Sequence, residues 1–227
     1  MLYGVSVGPG DPELMTLKAV RILQACTVIA VPRSGSENTL VAFEIARQAV
    51  PEIENKRIME LSLPMTRDKQ LLEEAREQAA KTLMDLLDAG EEIACLTLGD
   101  ASIYSTYMYL HNRIVKAGYP AEIIAGVPSF CAAAALRGKQ LTEAALPLHI
   151  VPGSYDCVEE SLSWPGPKIL MKSGKQLGRV KALLKEKGLL DQAYLVQECG
   201  MEHEKACPLN QAEDAGYFSI VFVEDKI

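Results

Sequence analysis

A short apolar segment that stops abruptly at a Gly-Asp pair constrains the fold of this chain most. Ile93 to Leu98 are apolar apart from one threonine, Gly99 and Asp100 follow, and a polar stretch then leads to a new apolar pattern. This layout predicts a buried strand, a tight turn and the start of a helix. In open parallel sheets, ligands bind in the crevice beyond the carboxyl ends of the strands. Glycine lets a ligand approach the backbone closely, and Asp100 supplies a carboxylate at that point.

Predicted strands and helices alternate along the first half of the chain, which is typical of an α/β fold. The first helix begins at Thr16 as its N-cap and carries Leu17, Val20 and Leu23 on one face. The pattern further predicts strands over residues 2–7, 27–31 (closed by Pro32), 58–61 and 93–98, and helices over 39–50, 68–87 and 106–116.

The second half continues the alternation but is richer in strands. Gly118-Tyr119-Pro120 breaks the pattern, so we predict an N-terminal domain over residues 1–118 and a C-terminal domain over 119–227. Strands are predicted over 122–125, 149–151, 168–171, 194–197 and 219–223, and helices over 129–136 and 176–187.

Composition narrows the class of protein. A length of 227 residues allows one large or two small domains, and a net charge of −7 argues against a nucleic-acid surface. An anionic small molecule stays possible, since a few local cations can outweigh a distant negative surface. The chain shows no signal peptide, and its six cysteines lack disulfide or zinc spacing. We therefore expect a cytoplasmic protein without a metal site or disulfides.

Three glycine-containing turns follow predicted strands: Gly8-Pro9-Gly10-Asp11, Gly99-Asp100 and Gly126-Val127-Pro128-Ser129. Each alone is an ordinary strand-to-helix connection. Together they predict a shared cleft. None has the spacing of a phosphate-binding P-loop or of a Rossmann dinucleotide site, and no nucleophile elbow is present.

These turns belong to longer segments that resemble a known family. Gly4 to Thr16 is similar to the N-terminal signature of the tetrapyrrole methylases, the class III S-adenosylmethionine-dependent methyltransferases. Gly99-Asp100 with Tyr104 to Thr106 resembles their central cofactor motif, and Ala125 to Ala134 resembles the loop and helix after the next strand. The resemblance implies two αβα domains with a cofactor cleft between them, and a cytoplasmic homodimer.

A finer resemblance points to the branch of the family that methylates carbon 20 of precorrin-2 or cobalt-factor II in cobalamin biosynthesis. It rests on Leu63 to Lys69, Tyr104 to Leu110, Gly126 to Ala135 and Leu141 to Glu143. The cobalt-bearing and metal-free rings both stay open as substrates. Methylation at another ring position (the uroporphyrinogen III type), methylation of a protein histidine (the diphthamide type) and a non-catalytic α/β binding module are the alternatives.

Two positions depart from the family pattern. Ala101 stands where the family usually has proline, which we expect to loosen the turn after Asp100. Pro128 stands where a small hydroxyl residue is usual, which removes a hydrogen-bonding group and fixes a backbone angle.

The resemblance also implies roles for individual residues. S-adenosylmethionine would lie against the Gly99-Asp100 turn, with Met171 on its adenine, although the sequence alone favours a plain core residue at this strand end. The full cofactor set comprises Pro9, Gly99, Asp100, Ile103, Tyr104, Ser105, Thr106, Gly126, Ser129, Phe130, Met171 and Gly200. The substrate set comprises Gly8, Gly10, Asp11, Arg33, Arg67 and Lys69.

Little acid–base chemistry is needed, because a sulfonium is already a strong methyl donor. In-line positioning and exclusion of water would be the main contribution of the protein. Tyr104 is the candidate catalytic residue for removal of the proton from the methylated carbon, and solvent is the alternative acceptor.

Overall fold

The computed structural model describes residues 1–33, 40–66 and 68–224. The chain divides into two compact units, Met1–Pro128 and Ser129–Ile227. Each unit contains its own five-stranded sheet with helices, which confirms the predicted α/β class. None of the described helices is both long and apolar enough to traverse a lipid bilayer.

The first unit is built on a parallel sheet with the strand order β3-β2-β4-β1-β5. Its strands are β1 (Leu2–Ser6), β2 (Val28–Arg33), β3 (Arg57–Ser62), β4 (Ile93–Thr97) and β5 (Ala121–Ile124). Its helices are α1 (Leu17–Ala25), α2 (Val41–Ala49), α3 (Lys69–Asp88) and α4 (Tyr107–Lys116). Since all five strands run the same way, their carboxyl ends share one edge of the sheet.

The first unit ends later in the chain than the sequence analysis predicts, because it includes strand β5. Leu2 to Val5 of β1 pair with Ala121 to Ile124, so β5 is an edge strand of the first sheet. The sequence analysis assigned this strand to the domain after Gly118. A glycine turn between a helix and the next strand looks the same in sequence whether or not a domain ends there, which explains the difference.

Pro32 does not close its strand, contrary to the sequence analysis. β2 pairs with β4 only through Val28 to Ala30, whereas its pairing with β3 continues to Arg33. At Pro32 the strand therefore has a neighbour on one side only. A proline, which lacks a backbone N–H, is tolerated there.

The two long amphipathic segments begin at side-chain caps. Thr16 Oγ1 accepts a hydrogen bond from Ala19 N, as predicted, and Asp68 Oδ1 caps α3 through Gln70 N and Leu71 N. The buried face of α1 differs from the prediction, because Leu17 is 89% exposed while Ala19 and Leu23 face the core. Leu17 is the first residue of the helix, and the packed core does not cover its side chain at that position. The predicted helix start at Thr39 lies outside the described residues.

The second unit has a mixed sheet with the strand order β6-β7-β10-β8-β9. Its strands are β6 (His149–Pro152), β7 (Lys168–Met171), β8 (Ala193–Gln197), β9 (Lys205–Pro208) and β10 (Ser219–Val223). Its helices are α5 (Ser129–Leu136), α6 (Cys157–Ser161) and α7 (Leu177–Glu186). The sequence analysis missed β9 and α6, because a four-residue edge strand with an exposed lysine and a five-residue helix carry almost no periodicity.

One contact in the first core shows how tightly β1 and α4 pack. The Tyr107 ring is fully buried and lies directly over Gly4, where an added Cβ would come within 2.0 Å of the ring carbon Cε1. The Tyr107 hydroxyl hydrogen-bonds His111 Nδ1 at 3.1 Å. Glycine at position 4 is therefore required by the close approach of the ring.

We expect Gly4→Ala to lower the free energy of unfolding by roughly 3 kcal/mol or more, because the buried ring has no room to move. Gly178→Ala is the matched control. Gly178 lies in α7 with nothing within 4 Å of an added Cβ, so alanine should stabilise the protein by up to about 1 kcal/mol. Urea unfolding measures both. Equal stability of Gly4→Ala and the unaltered protein would contradict this packing.

Candidate functional site

The glycine turns after β1, β4 and β5 meet at one edge of the first sheet. These strands are neighbours in the order β4-β1-β5. Gly99 N donates a hydrogen bond to Gly8 O at 2.7 Å, and the two glycines form an antiparallel bridge. Both have positive φ, +76° at Gly8 and +66° at Gly99, a conformation that favours glycine. The three turns are thus brought together within the first unit.

Asp100 joins two of these turns through its carboxylate. Its Oδ2 accepts a hydrogen bond from Gly126 N at 2.8 Å, and its Oδ1 accepts from Ser102 N at 2.8 Å and from the Ser102 hydroxyl. The residue is only 9% exposed. Burial alone would raise the pKa of Asp100, but the hydrogen bonds from Gly126 and Ser102 outweigh it and hold the pKa below its ordinary value. Asp100 therefore organises the turns as a buried carboxylate.

Gly126 lies so close to its neighbours that no side chain fits. An added Cβ would be 2.4 Å from Ser6 Cβ and 2.6 Å from Gly99 O. Ser6 Oγ accepts a hydrogen bond from Ala101 N at 2.9 Å, and Ala101 is fully buried. The expectation that alanine loosens this turn was therefore wrong, because the N–H that a proline would lack is held by Ser6.

The loop after Asp100 is anchored at Ser105 and presents other side chains outward. Ser105 Oγ hydrogen-bonds Thr97 Oγ1 at 2.8 Å and accepts from Tyr107 N at 3.1 Å. Tyr104 is 43% exposed and has a φ of +49°, which is rare for an aromatic residue. Thr106 is also exposed, and Ile103 is half-buried. Four of the predicted cofactor residues thus lie on one loop, of which two are exposed and two are half-buried.

The Gly8 to Asp11 turn is buried except at its last residue. Pro9 and Gly10 are buried, and Asp11 is half-buried. Asp11 Oδ1 accepts a hydrogen bond from Glu13 N at 2.8 Å and so starts a short 3-10 turn over Pro12–Leu14. This leaves Asp11 as the accessible acidic group of the turn.

One of the predicted substrate cations ends a strand of this sheet. Arg33 ends β2, the strand next to β4, and its guanidinium pairs with Glu60 at 2.9 Å. Lys69 is the first residue of α3, which follows β3, and is exposed. Arg67 lies outside the described residues.

In the second unit, the carboxyl ends of β7 and β8 lie at one edge, because β10 is antiparallel to both. Met171 ends β7 and is half-buried, while Gly200 follows β8 with its N–H donated to Glu204 Oε2 at 2.7 Å.

Two residues at this edge were missed by the sequence analysis. Lys172 and Glu198 directly follow β7 and β8 and have positive φ values of +59° and +49°. With Tyr104, they are the only non-glycine residues in the left-handed region within the described chain. Such conformations concentrate at functional sites. Neither lysine nor glutamate favours this conformation, so no residue pattern indicated these two positions.

Ser129 and Phe130 begin α5, with Ser129 half-buried and Phe130 6% exposed. Within residues 1–33, 40–66 and 68–224, no three His, Cys, Asp or Glu side chains are grouped so as to hold a metal ion.

The chain was compared with known protein families. The model of the Tetrapyrrole (Corrin/Porphyrin) Methylases matches residues 1–213. The chain belongs to the tetrapyrrole methylase family.

Similar tetrapyrrole methylases match along almost the whole chain. The cobalt-precorrin-2 C(20)-methyltransferase of Salmonella typhimurium is 31% identical over 233 residues, which cover 99% of this chain and 96% of the relative. The precorrin-2 C(20)-methyltransferase of a Sinorhizobium species is 31% identical over 238 residues, covering 98% and 94%.

Solved structures of tetrapyrrole methylases share the fold. A cobalt precorrin-4 methyltransferase superposes with a TM-score of 0.75 at 19% identity, covering 98% of this chain and 94% of that chain. The uroporphyrin-III C-methyltransferase of Thermus thermophilus, complexed with S-adenosyl homocysteine, gives a TM-score of 0.73 at 20% identity, covering 98% and 97%.

The buried carboxylate of Asp100 should stabilise the protein in a pH-dependent way. Because its pKa is lowered on folding, this contribution is complete above the ordinary value of 3.8 and is lost as the pH falls through the folded-state value. We expect Asp100→Asn to cost about 1–3 kcal/mol at pH 7, since an amide nitrogen would face an N–H donor. The difference should shrink between pH 5 and pH 2.

Urea unfolding at several pH values measures this difference. Asp68→Asn is the matched control, because asparagine caps a helix as well as aspartate does, so little change is expected. A pH-independent cost of Asp100→Asn would contradict the assigned role of the carboxylate.

Proposed function

We propose that this chain transfers a methyl group from S-adenosylmethionine to carbon 20 of a precorrin-2-type tetrapyrrole in cobalamin biosynthesis. One observation carries the proposal: a hydrogen bond joins the Gly99-Asp100 turn to the Gly126 turn. The family resemblance implies that these two motifs hold the cofactor. The full-length similarity to two C(20)-methyltransferases supports the choice of ring position.

The residues of the first unit fit a methyl donor that lies against backbone. Gly8, Gly99 and Gly126 themselves add no side chains where the turns meet, so their backbone carries no Cβ atoms there. Exposed Tyr104 and Thr106 flank it. We assign the donor's contacts to these turns. The roles of Pro9, Ser129, Phe130, Met171 and Gly200 stay predictions from the family resemblance.

When bound, S-adenosylmethionine supplies an electrophilic methyl group on a sulfonium, so the protein need not form a covalent intermediate. The turns act by holding the donor in one orientation and by replacing water around it. Tyr104, which is exposed, is our candidate to relay the proton released from the methylated carbon: its phenol oxygen would take that proton as its own O–H proton passes to solvent.

The substrate is a ring that carries carboxylates, and Arg33 and Lys69 are our candidate partners for them. Arginine binds a carboxylate with two parallel hydrogen bonds, although Arg33 would first exchange its contact with Glu60. Arg67 is a third candidate by sequence. A cytoplasmic homodimer is a further proposal that rests on the family resemblance.

The test is anaerobic incubation with methyl-labelled S-adenosylmethionine and either precorrin-2 or cobalt-factor II. Mass spectrometry should show one added methyl group, and NMR should place it on carbon 20. A label at another carbon would support a methylase of different regiochemistry. Binding of S-adenosylhomocysteine without any product would instead support a binding module and contradict the proposal.

Gly126→Ala should abolish cofactor binding, because the new Cβ would collide with Ser6 Cβ and Gly99 O and force the turns apart. We expect the Kd for S-adenosylhomocysteine to rise by at least about 100-fold, measured by calorimetry. Gly178→Ala, which meets nothing within 4 Å, is the control and should leave the Kd unchanged. Unchanged affinity of folded Gly126→Ala would exclude this turn from the cofactor site.

A further inference from the structure

The last residue of β1 is a serine whose side chain is completely buried. The other residues of Leu2–Ser6 are leucine, tyrosine, glycine and valine, and Ser6 is 0% exposed. Burying a hydroxyl costs free energy unless it is hydrogen-bonded. Its oxygen accepts a hydrogen bond from Ala101 N at 2.9 Å, across 95 positions of the chain. The hydroxyl is therefore placed where it serves the turn after β4.

Ser6 completes a set of three hydrogen bonds that hold three consecutive residues of that turn. Gly99 N is bonded to Gly8 O, the Asp100 carboxylate to Gly126 N, and Ala101 N to Ser6 Oγ. Each bond leads to a different residue at the sheet edge. The hydrogen bond from Ala101 N to Ser6 holds the last residue of the turn. The exposed loop that continues to Thr106 begins there.

Ser6 also sets the distance to the third turn. Its Cβ is the atom nearest to the position where a Cβ would lie on Gly126, at 2.4 Å. A larger side chain at position 6 would push the two turns apart, and a smaller one would leave Ala101 N buried without its acceptor. Position 6 therefore requires both the small size of serine, which lets the turns approach, and its hydroxyl, which accepts the hydrogen bond.

We propose that Ser6 is a positioning residue for methyl transfer, because its buried hydroxyl fixes the Gly99–Ala101 turn in the conformation that receives S-adenosylmethionine. The proposal rests on the proposed function. Ser6 itself does not contact the reacting atoms. It acts through the backbone of Ala101, so its loss should weaken binding of the donor and leave binding of the tetrapyrrole unchanged.

Ser6→Ala tests the proposal, with Ser161→Ala as the matched control. Ser161 is equally buried, but its hydroxyl donates to Val158 O within α6 of the second unit. For Ser6→Ala we expect the Kd for S-adenosylhomocysteine and the KM for S-adenosylmethionine to rise about tenfold, as an unpaired buried N–H predicts. The KM for the tetrapyrrole should not change. Ser161→Ala should alter neither constant.

A readout without any ligand separates this proposal from the proposed function. Amide hydrogen exchange in Ser6→Ala should be faster at residues 99–102 than in the unaltered protein, and unchanged in β7 and β8. If the unaltered protein binds no S-adenosylhomocysteine, the proposed function fails, whatever the exchange data show. If it binds and Ser6→Ala binds equally well, or loses donor and ring affinity alike, the role of Ser6 is contradicted.

Ala101→Pro removes the same hydrogen bond from the donor side and should by itself raise the Kd for S-adenosylhomocysteine about tenfold, which keeps the test decisive even if Ser6→Ala does not fold; an unchanged Kd would contradict the role of the bond. Proline is the usual residue of the family at this position. In the Ala101→Pro protein, adding Ser6→Ala should cause no further loss of donor affinity, because the bond is already absent. A full additional tenfold loss would show that Ser6 acts by some other route and would overturn the proposal.

Discussion

A single buried carboxylate connects the sheet of the first unit to its site. Asp100 accepts hydrogen bonds from the turn after β5 and from its own loop, which continues to Thr106. The parallel sheet brings the strand ends to one edge but does not fix the turns that follow them. Asp100 supplies that constraint, and Ser6 and Gly8 extend it to β1.

Much of this architecture could be predicted from the chain, because parallel βα units leave strong local signals. The apolar run ending at Gly99, the cap at Thr16 and the helical pattern over residues 68–87 each predicted an element that the structure contains. The glycine turns predicted a shared cleft, and those at Gly8, Gly99 and Gly126 do meet.

The contacts that make the turns a site were beyond sequence reasoning, because they join residues 26 to 95 positions apart. No pattern shows that Ala101 N bonds to Ser6, or that Tyr107 fills the space above Gly4. The prediction that Leu17 is buried was wrong for a related reason. Periodicity identifies the apolar face of a helix but not how far the neighbouring sheet extends beneath it. The positive φ values of Lys172 and Glu198 could not be predicted, since backbone conformation at a strand end is set by tertiary packing.

The central claim is that the methyl donor lies against the turns joined by Asp100. A crystal structure of this protein with S-adenosylhomocysteine tests it most directly. We predict that the ligand contacts residues 99–106 and the backbone at Gly126, with the Asp100–Gly126 hydrogen bond intact. A nucleoside bound away from both segments would contradict the account.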